Sequence, residues 1–234
     1  MKKKHQIKYD LIYICHVQTN KQINKQKTND MKKIILTVAA VFAFGFANAQ
    51  ETKFGVKGGV NFANLAGDVE DNSTKVGFNV GGFVEIKVSD KFSVQPELLF
   101  STQGAKEEYS ETFNGTTINY DSKLNLSYLN IPVMAKFYVA DKFSLEAGPQ
   151  VGFLLSAKSN SEVTDGTNSS SSEEDVKDFF ESTDFGLNFG AGYDFTSNLS
   201  AGFRYNLGLS NIAKDSGDDE IKNTVLSVSL AYKF

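Results

Sequence analysis

One pattern constrains this chain more than any other: large apolar residues alternate with small or polar ones, and the alternation recurs in eight separate segments. The last segment shows it best. In Asn223 to Phe234, Leu226, Val228, Leu230, Tyr232 and Phe234 alternate with Ser227, Ser229, Ala231 and Lys233. A period of two is the side-chain period of a β-strand, so each segment has one greasy face and one wet face. A soluble sandwich turns such a greasy face inward. A transmembrane barrel turns it outward to lipid and lines its interior with the other face.

The eight predicted strands are 53–62, 76–88, 92–101, 122–139, 143–155, 184–195, 199–210 and 223–234. Two are irregular. In the third, Pro96 falls on the apolar face, so a bulge or local defect is expected there. In the fourth, Leu124, Leu126 and Tyr128 hold one parity while Leu129, Ile131, Val133, Ala135, Phe137 and Val139 hold the other. A bulge near Tyr128–Asn130 would bring both sets onto one face.

Three features choose the barrel. The second face is rich in Gly, Ser and Asn, where the outer face of a soluble sheet would carry many charged residues. Small side chains suit the narrow interior of eight strands. The connections alternate in length: 89–91, 140–142 and 196–198 are tight, while 63–75, 102–121, 156–183 and 211–222 are long. Outer-membrane barrels have short periplasmic turns and long external loops. Aromatics also gather at strand ends, among them Phe54, Phe62, Phe92, Phe100, Phe143, Phe153, Phe195, Tyr232 and Phe234, as an interfacial girdle requires. The expected fold is therefore all-β: an eight-stranded antiparallel up-and-down transmembrane β-barrel. Segment 102–121 carries Asn114-Gly115, a type I′ hairpin signal, so the hairpin is expected to extend past the hydrophobic zone before it turns. Segment 156–183 is acidic and Ser-rich with no core-forming period, and reads as a mobile loop.

Residues 31–49 read as a secretory signal peptide: basic Met31-Lys32-Lys33, an apolar stretch from Ile34 to Phe46, and the cleavage signature Ala47-Asn48-Ala49. Residues 1–30, rich in Lys, Asn and Gln, read as a start called too early or as a disordered extension. The barrel then occupies 50–234. Residues 1–49 hold nine Lys and two Asp, which leaves 15 basic and 26 acidic residues and a net charge of −11 beyond them. An acidic chain of this kind is a poor nucleic-acid binder. Residues 50–234 contain no Cys, His or Trp. That excludes disulfides, thiolate nucleophiles and His-based proton or metal sites. Barrel hydrolases and acyltransferases use His, so no enzyme and no cofactor is expected.

On the inward face, Lys57, Glu85, Glu97, Glu146 and Arg204 fall at mid-depth, with Lys87, Lys136, Asp194 and Lys233 nearer the periplasmic end. Buried charges must be paired. They can form a salt-bridge network filling the lumen or line a gated ion path; eight strands favour the network. The acidic clusters Glu173-Glu174-Asp175 and Asp215, Asp218, Asp219, Glu220 are oxygen-rich but lack the spacing of a calcium loop, and read as a solvated negative rim.

The block K-F-G-V-K-G-G-V-N-F at 53–62, Y-L-N-I-P-V-M-A-K-F at 128–137 and the closing A-Y-K-F resemble the small outer-membrane β-barrels of Bacteroidetes, the porin-like or PorT-like proteins. The resemblance spans essentially all of 50–234. It implies eight strands in outer-membrane lipid, export through the Sec pathway, and insertion by the barrel-assembly machinery with recognition of the terminal aromatics Tyr232 and Phe234. The expected protein is a monomer with a structural or binding role. A surface ligand would be met through 63–75, 102–121, 156–183 and 211–222. A narrow diffusion channel and an accessory component of a secretion or envelope-assembly complex are the alternatives.

Overall fold

The computed structural model describes residues 51–68, 72–113, 116–214, 216–217 and 219–234. The predicted signal peptide, the segment before it, the Asn114-Gly115 turn, Asp215 and Asp218 lie outside them. Nine antiparallel strands are described: β1 (Glu51–Gly67), β2 (Ser73–Ser89), β3 (Phe92–Phe113), β4 (Thr116–Ala140), β5 (Phe143–Thr164), β6 (Ser169–Asp175), β7 (Thr183–Asp194), β8 (Leu199–Gly208) and β9 (Ile221–Lys233). A single 3₁₀ turn, Lys177–Phe179, lies between β6 and β7. Eight strands pair in chain order, and β9 returns to β1, which closes the ring. The closing ladder runs from Gly55↔Lys233 to Gly67↔Ile221. Closure satisfies both edges of every ring strand, as a hydrocarbon environment demands.

The alternation sorts as expected. Phe54, Phe62, Phe78, Leu98, Phe137, Phe185, Phe189, Phe203, Tyr232 and Phe234 all stand exposed on the outer surface. Inside are Asn61, Asn79, Ser101, Asn130, Ser144, Asn188, Asn206, Ser229 and the charged residues, all buried. This inside-out arrangement is the reverse of a soluble core. The tight turns share one device. The carbonyls of Lys91, Lys142 and Asn198 accept from the backbone N–H of Tyr138, Asp194 and Lys233 on adjacent strands. Ser93, Ser144 and Ser200 are the first buried inward residues after those turns, and their small size leaves room for longer side chains.

Three expectations change. The fourth strand needs no bulge near Tyr128–Asn130: β3–β4 pairing keeps one register from Phe92↔Phe137 to Phe113↔Thr116. Leu126 and Tyr128 therefore face inward with Asn130, Met134 and Lys136. The irregularity sits on β5, where Leu155 is the extra residue between the Ser127↔Ser156 and Tyr128↔Leu154 pairs. Pro96 lies opposite Val133 with no register shift; the β2–β3 pairs resume from Phe83↔Glu97 to Ile86↔Val94 in the same register.

The third change concerns a connection. Segment 102–121 is strand up to the hairpin tip, as the hairpin signal implies, but 156–183 is no irregular loop: 156–164 continues β5 and β6 folds back on it. Together β3, β4, β5 and β6 form a four-stranded fin beyond the ring. Gly104, at φ +122°, lies where the fin leaves the barrel, and a Cβ there would meet the Leu124 carbonyl. Finally, Phe83 points inward and is buried, although neighbouring apolar residues of β2 face out. It packs over Gly55, whose missing side chain makes the space.

Candidate functional site

The interior is stacked in four layers. At the short-turn end is an open cavity of about 700 Å³, lined by residues that include Glu51, Lys53, Glu85, Lys87, Asp194 and Lys233. Above it lies a ladder of ions in which sign alternates at every rung. Lys57 approaches Glu97 at 3.2 Å, and Glu97 meets Arg204 at 2.8 Å. Arg204 meets Glu146 at 3.1 Å, and Glu146 meets Lys136 at 3.5 Å. Lys136 meets Glu85 at 3.0 Å, and Glu85 meets Lys233 at 3.1 Å. Lys233 ends on Asp194 at 3.1 Å. Four cations thus face four carboxylates, so the ladder is neutral as a whole.

Neutrality is what makes burial tolerable. An unpaired ion in so narrow an interior would carry a desolvation cost of several kcal/mol, about the scale of the protein's entire net stability. Alternation places each charge beside opposite charge, and neutral groups add further bonds. Gln95 donates to Glu97 at 2.7 Å and accepts from Lys136 at 3.2 Å. The Tyr138 hydroxyl donates to Glu85 at 3.1 Å. All five sequence-nominated residues, Lys57, Glu85, Glu97, Glu146 and Arg204, are in the ladder. Their depth differs from expectation in one case: Glu85 belongs to the lower group with Lys136, Lys233 and Asp194, because its partners sit on strand ends and it borders the open cavity. Lys87 stays outside the ladder and pairs with Asp90 at the rim.

The third layer is built mainly of amides. Asn79 donates to Asn61 at 2.6 Å and Asn61 to Ser101 at 2.9 Å. Asn206 donates to Asn188 and Asn188 to Gln150. Amides carry both donors and acceptors, so they can tile a dry surface without net charge. Above them, Asn223 donates to Asp184 at 2.8 Å, and Ser210 donates to the same carboxyl at 2.9 Å. The fourth layer is an apolar stopper of Leu65, Ala105, Leu126, Tyr128, Leu154, Ala157 and Ile212, against which Leu124, Val176, Phe180 and Ile221 pack. Parity along β4 could have exposed this layer, since Leu126 and Tyr128 share it with Asn130 and Lys136.

Between the open cavity and the stopper, the spaces around the ladder are about 30 and 20 Å³. Each is room for about one water molecule. Among the described residues no group of three or more His, Cys, Asp and Glu side chains is arranged to hold a metal ion.

Beyond the stopper the fin stands in solvent. Its two faces differ. One carries Tyr109 stacked on Tyr120, with ring centroids 4.6 Å apart, in a cross-strand row that continues to Val163. The other carries Glu108, Asp121 and Glu162 directly opposite one another. At the β5–β6 turn, Asp165 accepts from the backbone of Thr167 and Asn168 at 2.9 and 2.6 Å. Those bonds hold its carboxyl well below the usual carboxylate range.

Among solved structures the chain is similar to Ail, the attachment invasion locus protein of Yersinia pestis, at 14% identity and a TM-score of 0.43, covering 79% of this chain and 100% of that one. It is similar to a major outer membrane protein of Thermus thermophilus at 15% identity and a TM-score of 0.43, again covering 79% and 100%. Neisserial surface protein A matches at 14% identity and a TM-score of 0.41 over 79% and 100%. No curated protein matches the sequence. The family model described as an outer membrane protein beta-barrel domain matches residues 46–214, most of the chain, and the protein therefore belongs to that family of outer-membrane β-barrels.

Proposed function

We propose that this protein is a closed barrel of the outer membrane, a monomer without enzymatic activity, whose role is to mount an acidic β-sheet at the cell surface. The observation that carries this is the order of the interior layers. A neutral ladder of ions, an amide tier and an apolar stopper lie in series along one narrow tube, and two spaces among them measure about 30 and 20 Å³. Hydrated ions need more room than one water position. The fin, in contrast, is exposed on both faces and presents ordered rows of side chains. In this arrangement the short turns face the periplasm and the fin faces outward, following the loop asymmetry of such barrels. Outer-membrane lipid contacts the aromatic and aliphatic belt. Sec export and delivery to the barrel-assembly machinery, with Tyr232 and Phe234 as the terminal signal, complete the proposed route.

Planar-bilayer recording on the refolded protein tests the closed state. A silent barrel is the expected result. Discrete openings that vanish when the charges of Glu97 and Arg204 are exchanged would replace this role with the narrow-channel alternative. Stoichiometric co-purification with envelope proteins would instead favour an accessory role in a larger assembly, including one specific to the PorT-like proteins of Bacteroidetes.

A further inference from the structure

The fin is a sheet whose first strand is paired on one side. β2 accompanies β3 only as far as Ser73↔Lys106. Beyond that rung, β3 continues to Phe113 with β4 on one flank and, among the described residues, no strand on the other. Among the described residues, nothing pairs with the outward backbone N–H and C=O of every second residue of 107–113. Exposed edges usually carry charged side chains, a proline or a bulge that discourages pairing. Residues 107–113 (E-E-Y-S-E-T-F) have no proline and no lysine, and β3–β4 pairing is unbroken throughout, so the charge of three glutamates is what selects the strand that can pair there.

Charge says what fits there. Over 106–123, 158–165 and 169–175 the fin has three lysines against nine carboxylates. Glu108, Asp121 and Glu162 lie in one cross-strand row, an arrangement unfavourable unless a cation joins it. Lys106 and Lys123 reach Glu108 and Asp121 from the side, at 2.9 and 3.1 Å. Among the described residues Glu107, Glu111 and Glu162 have no ion-pair partner. On the aromatic face, Glu107 and Glu111 flank Tyr109, which is half exposed and stacked on Tyr120.

We propose that the edge of β3 from Glu107 to Phe113 takes up an extended, basic segment of another protein as an added strand. This rests on the display role proposed above and names its partner class. The pairing would set a cationic side chain beside Glu107 and another beside Glu111. The residue between them would lie on the Tyr109 ring, where an aliphatic chain or a cation is accepted by the π face. On the opposite face a third cation would extend the Glu108 row. A second copy of this chain is a poor occupant, because edge-to-edge pairing would bring glutamates against glutamates.

The test uses the refolded barrel in lipid nanodiscs and a synthetic heptapeptide in which threonine alternates with lysine, valine and lysine. Fluorescence anisotropy reads binding, and cross-strand nuclear Overhauser contacts between the peptide and residues 107–113 read geometry. The expected result is salt-sensitive binding with contacts along β3. In the exposed double variant Glu107→Lys, Glu111→Lys, affinity should fall about tenfold or more, with preference shifting to a peptide carrying glutamates in place of lysines. Three outcomes would overturn the proposal: no binding of the lysine peptide, binding unaffected by the charge exchange, or a fin-to-fin dimer that excludes the peptide. A barrel that is silent in the bilayer yet ignores the peptide removes only this inference, whereas a conducting barrel removes the display role itself.

Discussion

Arg204 and Glu97 meet as a fork on a fork: Nη1 and Nη2 of the guanidinium each donate to a separate carboxylate oxygen at 2.8 Å, between strands that are not neighbours in the ring. The pair therefore crosses the interior rather than running along a wall. It ties β3 to β8 through side chains alone, and Lys57 on β1 closes on the same carboxylate.

Removing that carboxylate should cost more than the bonds it makes. Glu97→Ala leaves Arg204 and Lys57 buried side by side with only Glu146 to share. A loss of about 3–5 kcal/mol is expected from an orphaned buried charge. Urea unfolding of the refolded barrel would measure it. The double variant Glu97→Ala, Arg204→Ala should lose less than the sum of the two single variants. Additive losses would show that the pair is not coupled.

The seat of Phe83 on Gly55 gives a second expectation. A Cβ on residue 55 would collide with the Phe83 ring and come within 2.6 Å of the Tyr232 carbonyl. Gly55→Ala should destabilise by about 1–3 kcal/mol through overpacking. Phe83→Leu in the same chain should restore part of that loss by vacating the ring's outer edge. Failure of the second change to rescue would assign the strain to the Tyr232 carbonyl instead.

The turn at Asp165 should loosen with acid. Its folded-state carboxyl is held low by N–H donors from Asn168 and Thr167, below an unfolded value of about 3.9. A depressed folded value means the turn's stabilisation is complete above the unfolded value. It fades as pH falls through the folded one. Protection of the Thr167 and Asn168 amides, taken relative to the intrinsic exchange rate at each pH, should therefore be unchanged near neutrality and fall only in strong acid. In Asp165→Ala that protection should be low at every pH.

The terminal aromatic should matter to assembly more than to the finished barrel. Phe234 stacks edge-on against Tyr232 at 5.5 Å and lies exposed on the belt, while its N–H donates to the Phe54 carbonyl through the backbone. Phe234→Ala keeps that backbone bond. Stability in detergent should change by less than about 1 kcal/mol, as for an exposed side chain. The amount inserted in cells should drop several-fold. Equal insertion of both forms would remove Phe234 from the proposed signal.

How much of this was legible beforehand follows the solvent on each side of the sheet. Where lipid lies outside and a polar interior lies within, every strand must alternate, and the alternation in 53–62, 143–155 or 184–195 is visible in the residues themselves. Beyond the membrane both faces of a strand are wet. Segments such as Ser169–Asp175 carry no polarity contrast, so β6 resembled a loop until pairing with β5 revealed it, whereas the outer half of β3 was legible only through its turn signal.

The residues alone determined that the chain is a barrel, that its greasy face is outermost and that charged side chains must share its interior. Period two specifies which face each residue takes, and hydrophobicity specifies which face meets lipid. Tertiary structure decided who pairs with whom: Glu97 with Arg204, 107 positions apart, Glu85 with Lys136 and Lys233, Phe83 above Gly55, and Leu126 and Tyr128 in a stopper. Parity is a local property, but a contact across the lumen depends on the register of every strand between its two ends, and only closure of the ring sets that register.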